Sequence, residues 1–185
     1  MFPISLKRSM SILSNTTDSN SVAVSLGSNL PYLNRSPREI VLAAIQSLRS
    51  ISIEAEASSL YLSEPIDCPL GTGDFINAAM ILRLSSKISA SELLAVLQGI
   101  EADYGRARSA EQNQARTLDI DIISYGNQVL ESAHLILPHP RAAQRRFVLM
   151  PLVEIHPEMV LPGQSENIAQ LLDLLPRIEN VHLLA

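Results

Sequence analysis

Arg116-Thr117-Leu118-Asp119-Ile120-Asp121-Ile122 is the stretch from which the fold and the chemistry both follow. Leu118, Ile120 and Ile122 alternate with Asp119 and Asp121, the period-2 pattern of a strand buried on one face. The two carboxylates therefore project from the same face, roughly 6–7 Å apart at Cα. Like charges that close repel unless a cation lies between them or one carboxyl takes a proton. Mg²⁺ suits such a pair, because it completes its shell with water and substrate phosphates. Arg106 and Arg108 just upstream would suit the same phosphates. The segment thus points to phosphoryl or pyrophosphoryl chemistry, with an edge strand bearing a solvated acidic face as the plain alternative.

The remainder of the composition narrows the class. The chain has 185 residues, 46% hydrophobic and 18% charged, which fits one globular domain with a sizeable core. A net charge of −5 argues against a general nucleic-acid surface. Yet Arg106, Arg108, Arg116, Arg141, Arg145 and Arg146 crowd into one region without a lysine, the mark of a local anion site. Cys68 is the sole cysteine, so no intrachain disulfide can form and a cytoplasmic setting is expected. Residues 1–20, rich in Ser, Thr and Asn, read as a mobile tail ahead of a single domain over 21–185. Lys7-Arg8 is not followed by an apolar segment, and the longest apolar run, Phe147 to Val153, is too short to cross a bilayer. No membrane or nucleic-acid partner is expected.

Outward from the acidic strand, the elements fall into a simple order. Ser21–Leu26 reads as a strand ending in a Gly27-Ser28-Asn29 turn. Ser36-Pro37-Arg38-Glu39 opens a helix with a capping box and a proline at its first position, and Ile40, Val41, Ala44, Ile45 and Leu48 form its apolar face. Strands are expected over Ile53–Leu62 and Phe75–Leu84, separated by a loop from Ser63 to Gly73. Ser89-Ala90-Ser91-Glu92 caps a second helix striped by Leu93, Leu94, Leu97, Ile100 and Tyr104, and Gly105 stops it. Gln98 and Glu101 lie one turn apart on another face of this helix. Gly105 to Ala115 reads as a mobile loop. Short strands over Val129–Leu137 and short helices over Arg141–Leu149 and Asn167–Leu174 complete the chain. The order β-α-β-β-α-β predicts an α+β, ferredoxin-like sandwich, an antiparallel sheet with two helices packed on one face.

A family resemblance now rests on specific residues. Leu26-Gly27-Ser28-Asn29, Phe75-Ile76-Asn77-Ala78-Ala79, Glu101 with Gly105-Arg106 and Arg108, the Arg116–Ile122 segment, Leu137-Pro138-His139-Pro140 and Arg145-Arg146-Phe147-Val148-Leu149 occur in one order. The chain resembles the 6-hydroxymethyl-7,8-dihydropterin pyrophosphokinases of folate synthesis from about Val22 to Pro162. The resemblance implies transfer of the β,γ-diphosphate of ATP to the hydroxymethyl group of the pterin, with release of AMP, by a monomer.

The same resemblance implies a set of roles. Asp119 and Asp121 hold two Mg²⁺ ions, and Arg106 and Arg116 contact the phosphates as catalytic residues. Gln98, Glu101, Arg108, Ile122, His139 and Arg145 match nucleotide-side positions. Ser63, Ile66, Phe75, Asn77 and Phe147 match the pterin pocket, where aromatic faces stack on a flat ring and an amide pairs with its edge. Taken singly, each phenylalanine also reads as core, Arg106 and Arg116 as structural salt bridges, Arg145 as a solvated helix arginine, and His139 as a loop histidine between prolines. The chain departs from the family mainly in the loop. Asn113-Gln114-Ala115 stands where bacterial members commonly carry tryptophan, glycine and proline, and Ser109 replaces a frequently basic position. Ile136 and Pro140 stand where some members have polar side chains. A relative that binds pterin or nucleotide without efficient catalysis is the alternative these departures keep open.

Overall fold

The computed structural model of the chain describes residues 19–84, 88–106 and 115–184. The expected loop residues Arg108, Ser109, Asn113 and Gln114, and all of the expected tail except Ser19 and Asn20, lie outside them. Strand β1 spans Ser21–Ser28, helix α1 Pro37–Ser50, β2 Ser52–Ala57, β3 Tyr61–Ser63 and β4 Phe75–Leu84. Helix α2 spans Ala90–Asp103, β5 Asp119–Tyr125, β6 Leu130–Glu131 and β7 Ile136–Leu137. Helix α3 spans Arg146–Ile155 after a 3-10 turn at Ala142–Gln144, then come α4 at Ile168–Leu174 and β8 at Val181–Leu183.

The main sheet runs β5-β1-β4-β3-β8, with β2 also on β4, and every pairing is antiparallel. The ferredoxin-like βαββαβ core is present. Both expected capping boxes form, Ser36 with Glu39 and Ser89 with Glu92. Helix α1 buries the five residues of its apolar face.

Four expectations need correction. Gly27 and Ser28 belong to β1 rather than to a turn. The single strand expected over Ile53–Leu62 is two, because Ser58 enters the ladder with its side chain: its Oγ accepts the Ala79 N–H at 2.9 Å while its own N–H donates to the Ala79 carbonyl. The helix expected over Arg141–Leu149 begins only at Arg146 and runs to Ile155. Finally, helices cover both faces of the sheet. Val22, Val24, Leu26, Ala78, Met80 and Leu82 join the core shared with α1 and α2. Ala23, Ala79, Ile81 and Ile123 point the other way, into a second core with Val148, Leu149 and Leu152 of α3 and Ile168 and Leu171 of α4. Strands β1 and β4 are thus buried on both faces, and each fully buried aliphatic side chain there contributes about 1.5–3 kcal/mol.

No helix among the described residues is long and apolar enough to cross a membrane.

Helix α2 ends in a way that matters for the site. The Gly105 N–H donates to Ala102 O and the Arg106 N–H to Glu101 O, with Gly105 at φ 78°, which is a Schellman motif. A Cβ on Gly105 would lie 2.1 Å from the Tyr32 ring. Gly105→Ala should therefore cost about 1–2 kcal/mol from the backbone alone, read as a lower urea midpoint. An unchanged midpoint would show that this helix end is not held as described.

Candidate active site

The sheet register builds the site. Across the sheet, Asp119 pairs with Gly27, Gly27 with Asn77, and Asn77 with Tyr61; one step along, Asp121 pairs with Ser25 and Ser25 with Ala79. Alternation puts Asp119, Asp121, Ser25, Gly27, Asn77 and Phe75 on the face that carries Ala23, Ala79, Ile81 and Ile123 further along. One end of this face is core beneath α3 and α4. The other end is the floor of a cavity of about 530 Å³.

That cavity gathers most of the expected residues: Arg106, Arg116, Asp119, Asp121, His139, Arg145, Ser63, Ile66, Phe75, Asn77 and Phe147. Ile122 instead lines an adjoining groove of about 290 Å³, with Leu94, Leu135, Ile136 and Pro140, and Asp121 and His139 line both. Gln98, half-buried on α2, and Glu101 line neither.

Each arginine beside the carboxylates is held from behind. Glu101 is 3% exposed; its Oε1 accepts the Ile120 N–H at 2.7 Å and is paired with Arg106. Arg106 also pairs with Asp119 Oδ1, and Arg116 pairs with Asp119 Oδ2. The Arg116 backbone is fixed by the Ser28-Asn29 segment. Its N–H donates to Asn29 Oδ1 at 2.6 Å, its carbonyl accepts from the N–H groups of Asn29 and Leu30, and Ser28 Oγ donates to Thr117 O at 2.6 Å.

Asp121 is the strained member of the pair. Its side chain is 41% exposed, where the cavity and the adjoining groove share a wall. Desolvation first, and the Asp119 carboxylate second, push its pKa up to about 7 against the pull of Arg145, Arg116 and Arg106. Its neighbour His139 moves the opposite way, down to about 4, through desolvation and then through Arg145 and Arg141. His139 is therefore neutral near pH 7. Its Nδ1 accepts the Arg141 N–H at 3.2 Å, which assigns the ring proton to Nε2, 3.9 Å from Asp121 Oδ2.

Among the described residues, no group of three or more His, Cys, Asp or Glu is placed to hold a metal ion by itself. Two carboxylates whose repulsion and desolvation have raised one pKa are nevertheless a donor set that fits Mg²⁺ sharing its shell with water and phosphate oxygens.

At the other end of the cavity, Asn77 Nδ2 donates to Ser63 Oγ at 2.9 Å and to Phe75 O at 3.3 Å. Its Oδ1 faces Gly27, where a Cβ would stand 3.4 Å away. The missing side chain at Gly27 keeps the floor open between Asn77 and Asp119. Phe147, from the first turn of α3, carries the Arg145 guanidinium 5.3 Å from its ring centroid. The sequence reading missed Ser25, Gly27, Glu64, Asp67, Cys68, Arg141, Gln144 and Glu179 as lining residues. Arg141 belonged to the noted arginine cluster, and Ser25 interrupts the apolar run from Val22 to Leu26. Glu179 carries no local signal.

Residues 23–157 match the family model described as 7,8-dihydro-6-hydroxymethylpterin-pyrophosphokinase (HPPK). A Synechocystis protein named 2-amino-4-hydroxy-6-hydroxymethyldihydropteridine pyrophosphokinase is 40% identical over 151 residues, covering 81% of this chain and 73% of its own length. A Haemophilus influenzae protein of the same name is 36% identical over 144 residues, covering 77% of this chain and 85% of its own. The crystal structure of wild-type Plasmodium falciparum HPPK-DHPS superposes with a TM-score of 0.60 at 14% identity, over 83% of this chain. This chain spans 40% of that one, and at such identity the likeness concerns the fold alone. By its sequence match over 23–157 and these relatives, the chain belongs to the 7,8-dihydro-6-hydroxymethylpterin-pyrophosphokinase family.

Proposed function

We propose that this protein transfers the β,γ-diphosphate of ATP to the hydroxymethyl group of 6-hydroxymethyl-7,8-dihydropterin in folate synthesis, giving AMP and the pterin diphosphate. The observation that carries this reading is the place of the carboxylates. Asp121 stands where the aromatic- and amide-lined cavity meets the adjoining groove, with Asp119 beside it on the cavity floor, so a flat heterocycle on one side and a nucleobase on the other would bring their reacting ends together above the pair.

The proposed division of labour follows from the contacts. Phe75 and Phe147 flank the pterin, Ser63 and Ile66 close its rim, and Asn77, with Nδ2 committed to Ser63 and Phe75, presents Oδ1 to ring donors. Ile122 meets the base in the groove. Asp119 and Asp121 would hold two Mg²⁺ ions, which when bound would neutralise the transferring group. Arg106 and Arg116 are already within reach of Asp119, and the polyphosphate competes with that carboxylate for them. Neutral His139 donates from Nε2 to a phosphate oxygen, with Arg145 beside it. Glu101 acts through Arg106 rather than on the ligand. Gln98 and Arg108 are assigned to the nucleotide side by family likeness. The hydroxymethyl oxygen attacks the β-phosphorus, the bond from that phosphorus to the α-phosphate oxygen breaks, AMP departs with that oxygen and the hydroxyl proton passes to solvent; the enzyme's contribution is positioning and charge. A cytosolic monomer is the simplest setting for this chemistry.

Pterin-dependent AMP formation from ATP is the expected activity; ADP in its place would reject the reading. Asp119→Ala and Asp121→Ala should each lower turnover about 10³-fold. Both should leave the circular-dichroism spectrum intact, because packing rests on Leu118, Ile120 and Ile122. Near-wild-type turnover in both would sink the metal assignment.

The raised pKa of Asp121 adds a pH test. Cation binding must displace the Asp121 proton, so Mg²⁺ affinity without nucleotide should rise with pH up to about 7 and level off above it. In the metal-free protein the same proton favours the fold, so this contribution is present at low pH and lost as pH rises through about 7. Calorimetric titration with Mg²⁺ on either side of neutrality checks the first statement. Equal affinities at both would contradict it.

A further inference from the structure

Glu179 lies beyond residue 157, where the family match ends, yet it lines the cavity beside Phe147. Its Oε2 accepts the Arg146 N–H at 3.0 Å, 33 positions back in the chain. That N–H opens α3, whose N-cap residue, Arg145, makes no side-chain capping bond. First-turn N–H groups lack partners within the helix, and a carboxylate there also complements the helix dipole. Glu179 thus supplies from the C-terminal segment the cap that the helix lacks locally. The need is sharpened by Pro151, which has no N–H to give the Phe147 carbonyl one turn earlier.

The adjacent residue holds the opposite wall. Asn180 Nδ2 donates to Glu64 Oε1 at 3.1 Å, and its carbonyl accepts the Glu64 N–H at 3.3 Å. One residue on, Val181 pairs with Ser63, whose Oγ holds the Asn77 amide. Two consecutive residues therefore tie the α3 wall, bearing Phe147, to the β3 wall, bearing Ser63 and Glu64.

We infer that Glu179 is a positioning residue for the pterin end of the site. With Asn180 it forms a clasp that sets the gap between Phe147 and the β3–β4 side, and so the fit of a flat heterocycle within it. This rests on the assignment of that recess to the pterin. Glu179 touches no reacting atom in this scheme; it acts through the first turn of α3.

The test is a pair of binding titrations in the presence of Mg²⁺. The reduced pterin's own fluorescence reports its binding without interference, since the chain has no tryptophan; a nonhydrolysable ATP analogue is titrated by calorimetry. Glu179→Ala should weaken pterin binding about tenfold, the value of one lost hydrogen bond, and leave the nucleotide within about twofold. Glu179→Gln retains an acceptor for the Arg146 N–H and should stay within about threefold of wild type. Ser36→Ala, which removes the α1 cap far from the cavity, controls for stability and should leave both affinities unchanged. Wild-type pterin affinity in Glu179→Ala would overturn the clasp, as would equal losses for pterin and nucleotide. A Gln variant as weak as the Ala variant would show direct carboxylate recognition instead of positioning. A wild-type protein that binds nucleotide but no pterin would overturn the assigned function, and the clasp with it.

Discussion

Two carboxylates on one face of one strand, Asp119 largely buried and Asp121 part-exposed in the cavity, set the terms for everything around them. Asp119 and Asp121 cannot both be ionised there without positive charge opposite. Much of the surrounding structure serves to deliver it. The Schellman end of α2 at Gly105 places Arg106, and Glu101, buried against the Ile120 N–H, steadies its guanidinium. Asn29 and Leu30, just past the end of β1, grip the Arg116 backbone through three hydrogen bonds. Even so, desolvation and the neighbouring Asp119 carboxylate outweigh Arg145, Arg116 and Arg106, and hold the Asp121 pKa well above the usual carboxylate range. In the proposed reading, a divalent cation brought in with a polyphosphate would offset the repulsion between the two carboxylates.

The sheet converts this local problem into a site with a direction. Along a single face, Ala23, Ala79, Ile81 and Ile123 are covered by α3 and α4, and the same face then opens at Gly27, Asn77, Asp119 and Asp121. The rigid half anchors the open half. Helix α3 takes part in both: Leu149 and Leu152 pack the core, while Phe147 in its first turn forms a cavity wall. The cavity's polar floor therefore stands on strands whose far ends are fixed on both faces, as the preorganisation of charge requires.

How much of this was legible in the sequence depends on whether the signal was local. Period-2 alternation in Leu118–Ile122 and the Ser36/Glu39 and Ser89/Glu92 boxes depend on neighbours a few residues away, and all three hold in the structure. The break at Ser58 was hidden because it depends on Ala79, 21 residues off. The three-residue strand β8 and the reach of Glu179 back to Arg146 were hidden for the same reason. Glu101 shows the limit most clearly. Its position in the motif was legible, but sequence could not tell a ligand contact from a buried brace behind Arg106.

In the proposed reading the carboxylate pair stays frustrated until a cation binds, which site-specific titration measures directly. Site-specific carboxyl NMR titration of Asp121 should show a pKa near 7 in the metal-free protein. On addition of Mg²⁺ and a nonhydrolysable ATP analogue, that titration should move to far lower pH. An Asp121 that titrates like an ordinary carboxylate in the free protein, and does not respond to the ligands, would contradict the account.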